Sequence, residues 1–415
     1  MAQPLTARTC ESEPGYWDFG GEKEPLMHRI HAYPAKFPAF ITPKAVKYAK
    51  SRGVTVNRIA DVFCGCGTTA LEARRLGTDF WGCDINPVAT LITRVKRSSF
   101  QVARLSRYHD AIVRSYKRRS ARNPVQLRND RLRYWYDDDH IIDLAKLKAA
   151  IHTLPEGKYR EFFLCAFSNI LKPTSRWLTK SIKPQVDPDK KPAAVLTAFA
   201  VQVESMIKAV KACGTNEDPD SDIQTANFLE MTFDEPVADL IVTSPPYATS
   251  YEYADLHQLS TLWLDHTDDY RSLRQGTIGS LYHDSDFMRD IKQLNDTGHG
   301  IVFRVYDVDR RKARATAKYF VDMKRTVGQC HQMLRPDGMV LFVIGNTEYK
   351  GVKIDNAGYL RGCMAAEGFT DIALSTRKVS SKTLTPYRDA RGCFSSDSSS
   401  RLVYAEEFIL TGRKS

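Results

Sequence analysis

Short apolar runs alternate along the chain with stretches of helical period, and glycine and proline punctuate both. Ile59 to Phe63 and Phe80 to Asp84 are runs of strand length, and the residues between them open with glycines and continue at helical spacing. From Ile41 to about Val95 the order is therefore helix, strand, glycine turn, helix, strand, helix, with Pro87 suited to a first helical position. This is half of a doubly wound sheet. Asp137-Asp138-Asp139 then offers an N-cap and dipole-matching acids for a helix with apolar positions Ile141, Leu144, Leu147, Ile151 and Leu154. Residues 158 to 172 and 193 to 213 read as further helices, while 173 to 192 holds four prolines and cannot be helical. Asp239 to Val242 is a buried strand, Tyr251 to Leu264 and 313 to 335 are helices, and Pro336-Asp337-Gly338 turns into a strand from Met339 to Ile344. Val403 to Leu410 alternates as a final strand. The chain thus divides into a polar arm at 1–20, an α/β domain from 21–97 and 223–415, and a mostly helical insertion at 98–222. Tyr16, Trp17 and Phe19 give the otherwise loose arm rings with which to dock.

Two strand ends carry chemistry. The strand Asp239 to Val242 runs into Thr243-Ser244-Pro245-Pro246-Tyr247. Paired prolines fix φ and remove two donors, leaving rigid carbonyls at the carboxyl end of a strand, where open α/β sheets bind ligands. A hydroxyl, these acceptors and an aromatic face suit a planar ring bearing an amino group, such as a nucleobase. Upstream, Asp61-Val62-Phe63-Cys64-Gly65-Cys66-Gly67-Thr68 passes from strand through glycine turn to helix, and Asp84 closes the next strand, where a carboxylate can take both hydroxyls of a ribose. By itself this pattern fits a nicotinamide cofactor as well as S-adenosylmethionine.

Together the motifs resemble those of the DNA amino-methyltransferases, which move a methyl group from S-adenosylmethionine to an exocyclic nitrogen. The glycine loop is similar to that family's cofactor motif. Residues 243–247 are similar to its catalytic motif in the Ser-Pro-Pro-Tyr form usual among cytosine-N4 enzymes, where adenine-N6 enzymes mostly carry Asp or Asn. His31 to Pro38 resembles the segment that closes over the methionine end of the cofactor in this family. The resemblance covers about 30–100 and 223–415 and implies a Rossmann-like methyltransferase sheet whose last strand is antiparallel. It implies cofactor contacts at Tyr33, Pro34, Lys36, Asp61, Phe63, Gly65, Gly67, Thr68, Asp84, Asn86 and Thr243, and a catalytic group of Ser244, Pro245, Pro246 and Tyr247. Asn227 stands where the family often has an acid against the adenine, and an amide there still accepts from an amino group. The implied reaction is methylation of cytosine N4 in a specific double-stranded DNA sequence, by base flipping and direct displacement, in a restriction-modification, epigenetic or defence setting. Adenine-N6 methylation, RNA methylation and a non-catalytic DNA-binding subunit are the alternatives.

Charge sharpens the partner. The net charge is +11, and residues 94–133 alone hold 13 Lys and Arg against Asp110 and Asp130, so this stretch carries the whole excess. A local excess of that size points to a polyanion, here DNA phosphates. The insertion is accordingly the first choice for target recognition, with Arg118, Arg119, Arg176, Trp177, Lys180 and Lys183 as DNA contacts. The competing location is 265–320, with Arg271, Arg274, Arg304, Arg310 and Arg311. Nine cysteines lack paired spacing and none follows a proline, so neither a metal site nor the Pro-Cys nucleophile of carbon-5 cytosine methylation is readable. With no long apolar run, the expected setting is a reducing cytoplasm in association with the nucleoid, with an endonuclease as possible companion.

Overall fold

The computed structural model describes residues 14–33, 36–120, 124–214, 218–248, 252–379, 387–388, 394–395, 397, 401–402 and 406–415. Its centre is a seven-stranded sheet: β1 (Arg58–Asp61), β2 (Asp79–Asp84), β3 (Ser221–Thr225), β4 (Ala238–Thr243), β5 (Leu334–Ile344), β6 (Phe369–Lys378) and β7 (Glu406–Lys414). The order across the sheet is β3-β2-β1-β4-β5-β7-β6. β1 through β5 pair in parallel, and β7 runs antiparallel between β5 and β6. The chain winds outward from β1 to β2 and β3, then returns to place β4 on the other side of β1. The gap between β1 and β4 is thus the topological switch point of a doubly wound α/β fold.

All six positions of β4 are buried, as a central parallel strand covered on both faces requires. Leu240 and Val242 face α1 (Ile41–Ser51) and α2 (Thr68–Arg75), while Ile241 joins α9 (Asp296–Val308), α10 (Arg310–Met333) and α11 (Asn356–Ala366) on the opposite side. The arm is less loose than its composition suggests. Trp17 is buried, sits edge-on to Tyr16 at 4.9 Å and packs against Tyr48, and the Tyr16 hydroxyl donates to the Lys44 carbonyl at 2.9 Å.

The insertion contains α4 (Val102–Arg118), α5 (Asp138–Ile151), α6 (Lys158–Ile170) and α7 (Val195–Cys213), with Asp137 capping α5 through the His140 amide. Its apolar core also takes in Val88, Leu91, Ile92 and Val95 of α3 (Pro87–Arg97) and Leu259, Leu262 and Trp263 of α8 (Gln258–Trp263). The insertion therefore shares one core with the sheet domain and forms an outer layer on it. Part of the basic run is consumed in that packing. Lys96 and Arg97 are buried, Arg97 donating to the carbonyls of Thr78, Pro219 and Asp220, and Arg94 pairs with Glu161. Arg104, Arg107, Arg114, Lys117, Arg118 and Arg119, along and just beyond α4, are exposed, as are Arg128 and Arg133 farther on.

Candidate active site

A cleft opens at the carboxyl ends of β1 to β4. Each strand delivers residues to it just past its end: Val62, Phe63 and Gly65 after β1, Asp84 to Asn86 at β2, Ala226 to Phe228 after β3, Ser244 and Pro246 after β4. The far wall is Tyr33, Tyr253, Ala254, His257, Thr261 and the segment Leu273 to Ile278. The glycine loop and the Ser-Pro-Pro-Tyr motif, about 180 residues apart in sequence, open onto one space.

Asp84 is the anionic feature of the floor. Its carboxylate accepts the Gly65 amide at 2.9 Å and the Asn86 amide at 2.8 Å, yet burial pushes its pKa up to about 6. Asn86 caps α3 by accepting the Val88 amide, which fixes the turn beside Asp84. Phe63 and Phe228 meet edge to face at 6.2 Å, and with Ile85 and Ile278 they give this end of the cleft apolar walls. The amide of Asn227 is engaged, accepting from Leu229 N and donating to Glu230. At the other end, Tyr33 stacks on His257 at 4.8 Å and 24°. Burial holds His257 well below its ordinary range, at about 4, so the ring is neutral at physiological pH.

Several expected cofactor contacts have other duties. Asp61 is buried away from the cleft and accepts the Thr243 hydroxyl at 2.7 Å, locking the ends of β1 and β4 together; burial raises its pKa to about 6. Gly67 caps α2 with φ 75°, and a Cβ there would come within 2.8 Å of Thr93 Cα, so its small size serves the packing of α2 on α3. Thr68 is the buried first residue of α2. Lys36 turns away to Glu24 and the His28 carbonyl. Pro34 lies outside the described residues.

In the catalytic motif, Ser244 and Pro246 line the cleft, while Pro245 is buried beneath. The Pro246 carbonyl accepts the Tyr319 hydroxyl at 3.0 Å. Tyr247 stands beside the cleft, its hydroxyl bonded to Ser244 and its pKa raised well above the usual phenol value by burial. Gly345, at the end of β5, makes room for that ring: a Cβ there would lie 3.0 Å from Tyr247 Cε2.

The insertion's expected DNA contacts divide. Arg118, Arg119, Lys180 and Lys183 are exposed. Trp177 is buried in a stack with Trp135 at 4.9 Å, so it is a core residue and no wedge. Arg176 donates to the carbonyls of Arg133 and Tyr134, holding that loop closed. Sequence reading missed Tyr253, His257 and Gly276. They come from the helix expected at 251–264, which breaks at His257, and from a stretch read only for its arginines. Gly276 has φ 76°, and a Cβ on it would lie 3.2 Å from Ile85 and 3.3 Å from Asn227. Arg274, rather than facing outward, grips Asp255 through two nitrogens at 2.7 and 3.0 Å.

Among the described residues no group of His, Cys, Asp and Glu is arranged to hold a metal, and no helix is long and apolar enough to cross a membrane. No family model matches the chain. Its relatives are Type II methyltransferases. It is 23% identical over 358 residues to M.MvaI of Kocuria varians, covering 79% of each chain. It is 21% identical over 425 residues to M.BsoBI of Geobacillus stearothermophilus, covering 87% of this chain and 82% of that one. Among solved structures, a SAM-dependent methyltransferase of Methanosarcina mazei aligns at a TM-score of 0.29 and 8% identity, covering 88% of this chain and 96% of that one.

Proposed function

We propose that this protein is a DNA methyltransferase that transfers a methyl group from S-adenosylmethionine to an exocyclic amino nitrogen, cytosine N4, in double-stranded DNA. One observation carries the reading: Ser244 and Asp84 line the same cleft, across the switch point between β1 and β4. A ligand held by Asp84 therefore meets one presented at Ser244. The Type II relatives support the assignment and suit a modification role beside an endonuclease reading the same sequence.

The cleft fits such a cofactor. Asp84 would accept the ribose hydroxyls, and Phe63, Phe228, Ile85 and Ile278, which line the same cleft, would enclose a flat adenine. Asn227 Oδ1 keeps a second lone pair for the adenine amino group. Tyr33 and His257 form an aromatic wall at the opposite end. When bound, S-adenosylmethionine supplies an electrophilic methyl carbon; the residues here supply position. An aromatic amine is a weak nucleophile because its lone pair is delocalised into the ring. Ser244 Oγ and the Pro245 carbonyl accept its two hydrogens, turning the lone pair out of the ring plane; the Pro246 carbonyl is already held by Tyr319. The Tyr247 ring, packed against Gly345 beside the cleft, would have to turn toward the extruded base to stack on it and offset an unstacking cost of a few kcal/mol. Near-attack placement of this kind is worth roughly 7–11 kcal/mol. Transfer forms an N–C bond, breaks an S–C bond and releases one proton, with no covalent enzyme intermediate. The exposed cations of α4, Lys180 and Lys183 lend the insertion a face for the duplex.

The test is transfer of a labelled methyl group to DNA followed by nucleoside mass spectrometry. N4-methylcytosine is the expected product. N6-methyladenine would reassign the base, and cofactor binding without any transfer would leave a silent DNA-binding subunit.

A further inference from the structure

We infer that a second basic surface, formed by the junction of α9 and α10, grips the DNA backbone beside the extruded base. This inference rests on the function proposed above and adds where the strand runs. Arg304, Arg310, Arg311 and Arg314 are all exposed there, against the exposed acid Asp307 and the capping acid Asp309. Asp309 is spent locally: it caps α10 by accepting the Lys312 amide at 2.9 Å and accepts the Tyr349 hydroxyl at 2.7 Å.

The surface is bolted to the catalytic loop. Lys312 donates to the Ala248 carbonyl at 2.9 Å, one residue past the motif, and Tyr319 of the same helix holds Pro246. Whatever these arginines bind is thereby set in register with Ser244. α4 offers no such link: it packs on α5 and α7, and none of the described residues of the insertion lines the cleft.

The composition is costly unless it meets an anion. The first turn of α10 contains no acid and begins Arg-Arg-Lys, although cations are disfavoured at the positive end of a helix. Rings are interleaved with the charges, with Arg310 over Tyr306 at 5.3 Å and Phe303 half exposed. Basic side chains with aromatic faces suit a phosphate backbone and the bases next to it.

The test compares Arg311→Glu with Arg314→Glu against Lys47→Glu with Lys50→Glu. Both doubles change the net charge equally, but Lys47 and Lys50 are exposed on α1, outside the cleft. Glutamate near the start of α10 suits the helix dipole, so the fold should survive, and Arg311→Gln with Arg314→Gln provides a milder pair. Binding to linear plasmid DNA is measured across a salt series, with S-adenosylmethionine affinity measured in parallel. The α10 double should lose about tenfold or more in DNA affinity and flatten the slope of log K against log salt by about two, one per lost phosphate contact. The Gln pair should move the same way by less, the α1 double should behave as wild type, and cofactor affinity should stay constant. An α10 double with wild-type affinity and slope would overturn this inference alone. A wild-type protein that binds the cofactor but neither binds nor methylates DNA would overturn the proposed function and this inference with it.

Discussion

The floor of the cleft and its far wall are held in place by different means. On the floor, Gly65, Asp84 and Ser244 follow strand ends whose spacing is set by backbone ladders, and Asp61 with Thr243 ties two of those ends together. On the wall, Tyr253, His257 and Gly276 come from short helices and a turn with no strand beneath them. They are fixed by side chains, Tyr33 on His257 and Arg274 on Asp255. A ladder preserves geometry when single residues change, whereas a wall built from side chains shifts one contact at a time. Floor substitutions should therefore strike chemistry or affinity sharply, and wall substitutions should adjust entry and retention of the ligand.

The sharpest test is Ser244→Ala. It should lower the methyl-transfer rate by about two to three orders of magnitude, the usual cost of removing one aligned polar group from a transition state. Cofactor affinity by calorimetry should be nearly unchanged. A wild-type rate would remove Ser244 from the mechanism.

Next in size is Asp84→Ala, which deletes an ionised acceptor worth about 1.5–3 kcal/mol, or about 10- to 100-fold in cofactor affinity. Unaltered affinity would break the assignment of the floor.

The same carboxylate makes binding depend on pH. On the proposed reading its ionised form accepts the cofactor's hydroxyls, and burial places its pKa at about 6. Affinity should thus be level above that pH and fall by up to about tenfold for each unit below it. Asp84→Asn should abolish most of this dependence; any remainder belongs to Asp61, which titrates in the same range but faces Thr243.

The mildest expected effect is on the wall. Gly276→Ala forces a side chain into a left-handed conformation, at roughly 1–2 kcal/mol, and presses on Ile85 and Asn227. KM for the cofactor should rise several-fold with a smaller change in kcat. Gly351→Ala has φ 84° and nothing within 4 Å, so it carries the backbone strain alone and should leave KM untouched. Equal effects from the two glycines would remove Gly276 from the wall.

What the sequence revealed follows the same division. The strand–turn–helix units around Gly65 and Asp84 were legible because their geometry is local, and the Pro87 start and Asp137 cap fell where their chemistry puts them. α9 escaped notice because Gly298 and Gly300 interrupt its pattern, and β6 because Thr370, Asp371, Ser375 and Thr376 blur its alternation. Trp177 misled for another reason. A tryptophan among lysines and prolines has the composition of a nucleic-acid loop, and only its stack on Trp135, distant in sequence, makes it core. The duties of Gly67 and Asp61 were likewise set by partners that local spacing does not reveal, Thr93 and Thr243.

The placement of β7 has a consequence for biosynthesis. Because Glu406–Lys414 slots between β5 and β6, two strands made earlier stay unjoined until it emerges from the ribosome. Pairings so distant in sequence form slowly. The nascent chain thus carries every proposed binding residue for some time before the sheet behind them is complete.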